Sequence, residues 1–205
     1  PATVPSLASF GLYEGAIVLG TILATAAAFL IFLRALEAGE VSYVAPISKI
    51  VPVFVLPIEV VFLQQRLTPL QVTGVVVATL AVYVANYRTG SLLDPIRKAA
   101  SSRAAQFGLL SAACFALSDV GKRVALQELA LPLELWVPTV LGGVLVAVLP
   151  LAVREWVPIR DALPKFLLAG GGVALGEHIT SLALSTVPAS IASPIINTQA
   201  VVAVL

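Results

Sequence analysis

The chain has 205 residues, of which 59% are hydrophobic and 11% charged, with a mean hydropathy of +1.02 and a formal net charge of +1. Soluble domains carry about 25% charged residues, so the composition excludes a water-soluble globular protein, and basic residues spread without a patch exclude a nucleic-acid partner. The single Cys114 excludes an internal disulfide and a multi-cysteine metal site.

Seven apolar stretches, each close to the roughly 20 residues that cross the hydrocarbon, are predicted as helices. They run from Gly15 to Leu33, Val41 to Leu63, Leu67 to Tyr87, Ala104 to Leu126, Leu135 to Val153, Pro164 to Val187, and from Ala189 to the end. They recur along the whole chain, so none reads as a signal peptide. Lipid offers no water to an open sheet edge, and the expected fold is therefore an all-α polytopic membrane helix bundle. Tyr13, Trp136 and Trp156 lie near predicted span ends, where amphipathic rings anchor to headgroups. The stretch Arg88 to Gln106 has the Gly, Pro, Ser and charge content of a linker.

One segment occurs twice. Ala35, Leu36, Ser42, Pro46 and Ile47 recur 148 positions later as Ala183, Leu184, Ser190, Pro194 and Ile195, and the pairs Ile31/Ile179 and Val53/Val201 extend the register. This divides the chain into a first repeat over 1–87, a linker over 88–103 and a second repeat over 104–205. Projecting the second repeat onto the first predicts two further helices before residue 1 and more beyond Leu205, about ten in all and five per repeat. Five is odd, so equivalent helices cross the membrane in opposite senses, an inverted repeat of the kind found in secondary transporters.

In chain order, the alanine-leucine pair Ala35-Leu36, then Ser42, the proline-led helix with Pro46 and Pro52, the turn Arg66-Leu67-Thr68-Pro69, Gln71 and Gly74 form an ordered set, echoed by Ala183-Leu184, Ser190 and Pro194. This set resembles the EamA-type branch of the drug/metabolite transporter superfamily. The resemblance implies a ten-helix bundle with a central cavity that moves small metabolites by alternating access. That family usually has a glutamate just before the arginine of the turn, and this chain has Gln65.

A charge at the bilayer centre costs about 2.5 to 3.5 kcal/mol on insertion scales, so polar residues within spans mark candidate sites. Ser42, Pro46 and Lys49 are spaced to share a helix face, and Ser190, Pro194 and Asn197, with Ser193 beside them, repeat it. Either these faces line the cavity or the prolines only shape packing kinks. Lys49 is too deep for easy snorkelling and requires an anion, a substrate carboxylate or phosphate or a protein carboxylate, with Asp119 the leading internal partner. Lys122 and Arg123, three and four residues on, read as a local ion-pair cluster with Asp119. Glu177 and His178 are candidates for carrying a proton, or for a structural hydrogen-bonded pair. Glu59 reads as an interfacial or packing-paired carboxylate. The glycines of AGGGVALG are expected to let helices approach closely.

One histidine cannot make HExxH, and the chain contains neither GxxxxGK[ST] nor GxSxG, so no enzymatic activity, cofactor or metal is expected. Loop Lys and Arg, Lys49 aside, divide eight to three in favour of a cytoplasmic linker, whereas the family resemblance implies an external one. The expected function is secondary transport of a small polar metabolite, a carboxylate or amino acid, across an inner or plasma membrane, with proton coupling as a candidate. The alternatives are a flippase for lipid-linked substrates and a membrane scaffold without transport activity; the insertion cost of Lys49, Asp119, Glu177 and His178 argues against the scaffold.

Overall fold

The computed structural model describes residues 11–66, 68–86, 101–154 and 160–197. Most of the expected linker, Trp156, Leu67, Tyr87 and the end of the last expected span lie outside these residues. The described chain is helical: α1 (Leu12–Ala38), α2 (Val41–Ser48), α3 (Val51–Phe62), α4 (Pro69–Asn86), α5 (Arg103–Arg123) continued by a wide π turn (Val124–Glu128), α6 (Leu133–Arg154), a 3₁₀ turn (Arg160–Ala162), α7 (Leu163–Leu184) and α8 (Ala189–Ile196). Among the described residues, five segments are long and apolar enough to cross a membrane: α1, the joined α2–α3, α5 with its π turn, α6, and α7 with the 3₁₀ turn before it. The protein is thus a polytopic helical bundle.

α1 and α5 form its centre as an antiparallel pair. Small residues set their distance: a Cβ on Gly39 would lie 2.7 Å from that of Ala104, and one on Gly121 would collide with Thr21 Oγ1. Between these points Ser111 Oγ donates to Ala28 O at 2.9 Å and Thr25 and Ser118 share a hydroxyl bond of 2.6 Å. Such bonds satisfy side-chain hydroxyls where lipid cannot. α6 also packs against α1, where a Cβ on Gly143 would come within 2.6 Å of Ile22 Cδ1. With Gly108, where a Cβ would come within 3.1 Å of Ile47 Cγ2 of α2, the glycines that permit close approach among the described residues are Gly39, Gly108, Gly121 and Gly143. Gly170, Gly171, Gly172 and Gly176 of α7 have open space where a Cβ would point, which corrects the expectation for AGGGVALG.

Trp136 is also corrected. It is 1% exposed and packs in the apolar core with Ile22, Leu126, Leu131 and Val140. Its helix begins at Leu133 and runs inward over α1, so the ring lies against protein. Tyr13, by contrast, is 62% exposed at the start of α1, where an interfacial ring belongs.

The span expected as one helix from Val41 to Leu63 is broken at Lys49–Ile50. Proline has no amide hydrogen, so Pro52 cannot donate to Ser48 O, and the chain tightens instead. Lys49 N and Ile50 N donate to Pro46 O and Ile47 O, each at 3.3 Å. α2 and α8 correspond residue for residue in the 148-residue register, each eight residues long with an internal proline, Pro46 or Pro194. Lys49 and Asn197 are the C-caps of these two half-helices.

Candidate functional site

A cavity of about 370 Å³ lies where the two half-helices end. α5 supplies Phe115, Asp119 and Lys122, spaced four and three apart and so on one face. Glu177 and Thr180 come from α7, Thr25, Phe29 and Phe32 from α1, and Lys49 and Asn197 from the two caps. Its wall thus combines two cations, two carboxylates and an aromatic surface.

The charges are not equivalent. Lys122 Nζ binds Glu177 Oε2 at 2.7 Å, with side chains 5% and 11% exposed, while Glu177 Oε1 accepts from Ser181 Oγ at 3.1 Å. Both carboxylate oxygens of Glu177 are therefore engaged. Asp119 is 6% exposed, receives a side-chain hydrogen bond from Ser193, and faces Lys122, Glu177 and Lys49. Lys49 Nζ lies over the Phe115 ring, 5.6 Å from its centroid. No described carboxylate comes within 4.0 Å of it. A desolvated cation over an aromatic face gains about 2 kcal/mol, less than the several kcal/mol its desolvation costs. Lys49 is the cavity's one cation without an ion-pair partner among the described residues.

Asn197 is held by its own helix, its Nδ2 donating to Ser193 O at 2.7 Å and Ser193 Oγ at 3.1 Å. Ser193 thereby joins Asn197 to Asp119. The structure thus brings Lys49, Asp119, Ser193, Asn197 and Glu177 together. Ser42 is exposed at the start of α2 and does not reach the cavity, and Pro46 is buried behind it. They share no continuous face with Lys49, because the helix ends at Ser48. His178 is exposed on the opposite side of α7 from the lining residues, about 100 degrees around the helix from Glu177.

Of the local cluster with Asp119 expected from spacing, Lys122 still faces Asp119 but makes its ion pair elsewhere, and Arg123 leaves the cluster altogether. Lys122 crosses to α7, and Arg123 Nη1 binds Glu59 Oε1 at 3.0 Å on α3. Glu59 is 0% exposed and also accepts from the amides of Ala189 and Ser190, each at 2.9 Å. These are the first two residues of α8, whose amides have no partner within the helix. Of the two readings of Glu59, the packing-paired one holds. Sequence reasoning overlooked Phe115 and the cavity-facing role of Lys122, though the spacing Phe115, Asp119, Lys122 marks one face of α5.

α3 and α8 run antiparallel. Glu59, near the end of α3, holds the start of α8, while Val51 at the start of α3 and Asn197 at the end of α8 line the same cavity. Lys49 and Asn197 thus reach the cavity along half-helices that enter from opposite faces of the bundle.

Residues 4–87 match the EamA-like transporter family. The resemblance carried by Ala35-Leu36, Ser42, Pro46, Pro52, the Arg66-Pro69 turn, Gln71 and Gly74 holds over that stretch. The family is one of membrane transporters, not enzymes. Comparison with curated proteins gave no match, and neither did comparison with solved structures.

Proposed function

With residues 4–87 matched to the EamA-like transporter family, we propose that this chain forms part of a secondary transporter in an inner or plasma membrane. Its repeats, 1–87 and 104–205 around a linker at 88–103, are inverted. Its substrate is a small metabolite bearing a carboxylate, an amino acid among the candidates, and Lys49 meets that group. The observation that carries this reading is the meeting of two eight-residue helices, each with a proline inside it and capped by Lys49 or Asn197, at one cavity. Helices interrupted at mid-membrane are the usual means of presenting polar groups to a transported solute. Lys49 supports the anionic assignment because its ammonium faces the cavity over an apolar ring and without an ion pair. An entering carboxylate supplies the missing partner and shares in removing both charges from water.

Asp119, Ser193 and Asn197 form the polar wall beside Lys49, and alternating access carries the solute between the two faces. Glu177 is the proton-coupling candidate that geometry favours over His178, because Glu177 borders the cavity and His178 faces away. Uptake and efflux of a metabolite panel by reconstituted protein, with and without a pH gradient, test the proposal. Flux of carboxylates that Lys49→Gln removes supports it; absence of flux for every solute, or flux indifferent to Lys49, contradicts it.

A further inference from the structure

We infer that Glu59 and Arg123 form a latch that closes the transport path at the face where α3 ends and α8 begins. The inference rests on the transporter reading but involves residues outside the proposed substrate site.

Every cavity-lining residue lies to one side of this pair. On α5 the lining ends at Lys122, on α7 at Thr180, on α3 it is confined to Val51, and on α8 to the far end, Ile196 and Asn197. Glu59 is eight residues beyond Val51, and Ala189 is eight residues before Asn197. At 1.5 Å per residue, each separation is about 12 Å of helix. Lys122–Glu177 lies in the cavity wall itself, and between the cavity and that face the bundle places the buried Arg123–Glu59 pair.

The network around this pair holds the turn between α7 and α8 from both sides. Glu59 gives its two oxygens to the first amides of α8, as the positive end of a helix requires. Gln127, in the π turn after α5, donates from Nε2 to Leu184 O at 2.8 Å and Val187 O at 2.9 Å, around the end of α7. Arg123 joins the two halves, with Nη1 on Glu59 and Nε on Gln127 Oε1 at 3.4 Å. Its Nη2 binds Gln65 Oε1 at 3.2 Å, so the polar groups at the end of α3 are bound into the same network. Gln64, at φ 52°, turns the chain after α3, and Gln65 N bonds back to Glu59 O at 3.1 Å.

The latch is consequently built of side-chain bonds between elements that alternating access must separate. If the α7–α8 turn moves away from α3 and α5, Glu59 and Arg123 part, and the cavity opens at this face.

The test reads accessibility. Thr180→Cys in a Cys114→Ala background places one thiol on the cavity wall, at the lining position nearest the end of α7. A membrane-impermeant maleimide is applied to the full chain, reconstituted in one orientation, from either face. Labelling from the α8-start face is expected to be slow with the latch intact. Arg123→Gln, which leaves the Glu59 bonds to α8 in place, is expected to raise that rate at least about tenfold, since stranding one partner of a buried pair favours separation by more than this. Glu59→Gln should raise it further, and neither change should raise labelling from the opposite face, because alternating access opens one face at a time. An unchanged rate in Arg123→Gln, with protein that elutes as the parent does in size-exclusion chromatography, overturns the latch. Arg123→Gln protein that no longer elutes so also overturns it, by making the pair a requirement of folding. No transported solute enters this measurement, so failure of the flux assay and failure of the latch are distinguishable.

Discussion

Lys49 and Asn197 are 148 residues apart, each caps an eight-residue helix with a proline inside it, and both face one cavity. One position ends in a cation and the other in an amide. Two helices in the 148-residue register thus supply two chemically different groups to one cavity, an asymmetry that suits the proposed site to distinguishing the two ends of a solute.

The proposed inversion of the repeats predicts opposite exposure of the two matching turns. Glu40, before α2, and Thr186, before α8, are both exposed. Glu40→Cys and Thr186→Cys in a Cys114→Ala background are expected to react with an impermeant maleimide from opposite faces of oriented vesicles. Reaction of both from the same face would contradict the inversion.

The Lys122–Glu177 pair should be costly to split and cheap to remove whole. Taking one partner from a buried ion pair costs about 3 to 5 kcal/mol, whereas replacing both is close to neutral. Lys122→Gln should be the worse single change, because it leaves Glu177 and Asp119, two carboxylates facing one another, without their shared cation. Thermal unfolding in detergent of Lys122→Gln, Glu177→Gln and the double variant should show most of the loss recovered in the double. Equal losses from the two single changes, adding in the double, would refute the coupling.

Glycine substitutions should divide by position. Gly143→Ala places its methyl against Ile22, and overpacking of this kind costs about 1 to 3 kcal/mol. Gly171→Ala, with open space at its Cβ, is expected to leave the melting temperature of the reconstituted chain within about a degree or raise it, since alanine favours helix. A larger fall for Gly171→Ala than for Gly143→Ala would reverse the packing order of these helices.

Much of the fold was legible because it is written in hydropathy and proline placement. The spans follow from the length of apolar runs, and the repeat of Ser42, Pro46 and Ile47 as Ser190, Pro194 and Ile195 marked the segments that form α2 and α8, though the break after Ser48 was not foreseen. Partner choice was not legible. Lys122 and Arg123 sit at helical spacing from Asp119, but neighbours on a helix diverge by about 100 degrees, so one reaches Glu177 on α7 and the other Glu59 on α3. The identity of the facing helix is information that spacing along α5 does not contain. Trp136 failed for a similar reason: proximity to a span end does not say whether the ring turns to lipid or to α1. Gln65, the departure from the family's glutamate, takes a neutral acceptor's place beside Arg123, leaving Glu59 as the carboxylate of that cluster among the described residues.

The cation at the cavity is the centre of this account, and substrate-resolved flux tests it. In proteoliposomes, Lys49→Gln should reduce transport of carboxylates at least tenfold relative to neutral solutes of similar size, since a charge-assisted hydrogen bond contributes about 1.5 to 3 kcal/mol. Asp119→Asn and the combined variant separate the alternative. If Lys49 only balances Asp119, each single change strands the other charge and the double restores stability. Selective loss of carboxylate flux in Lys49→Gln, with folding intact, is the predicted result. Equal loss for charged and neutral solutes, with stability recovered when Asp119 is also neutralised, would make Lys49 a packing feature and remove the proposed anion site.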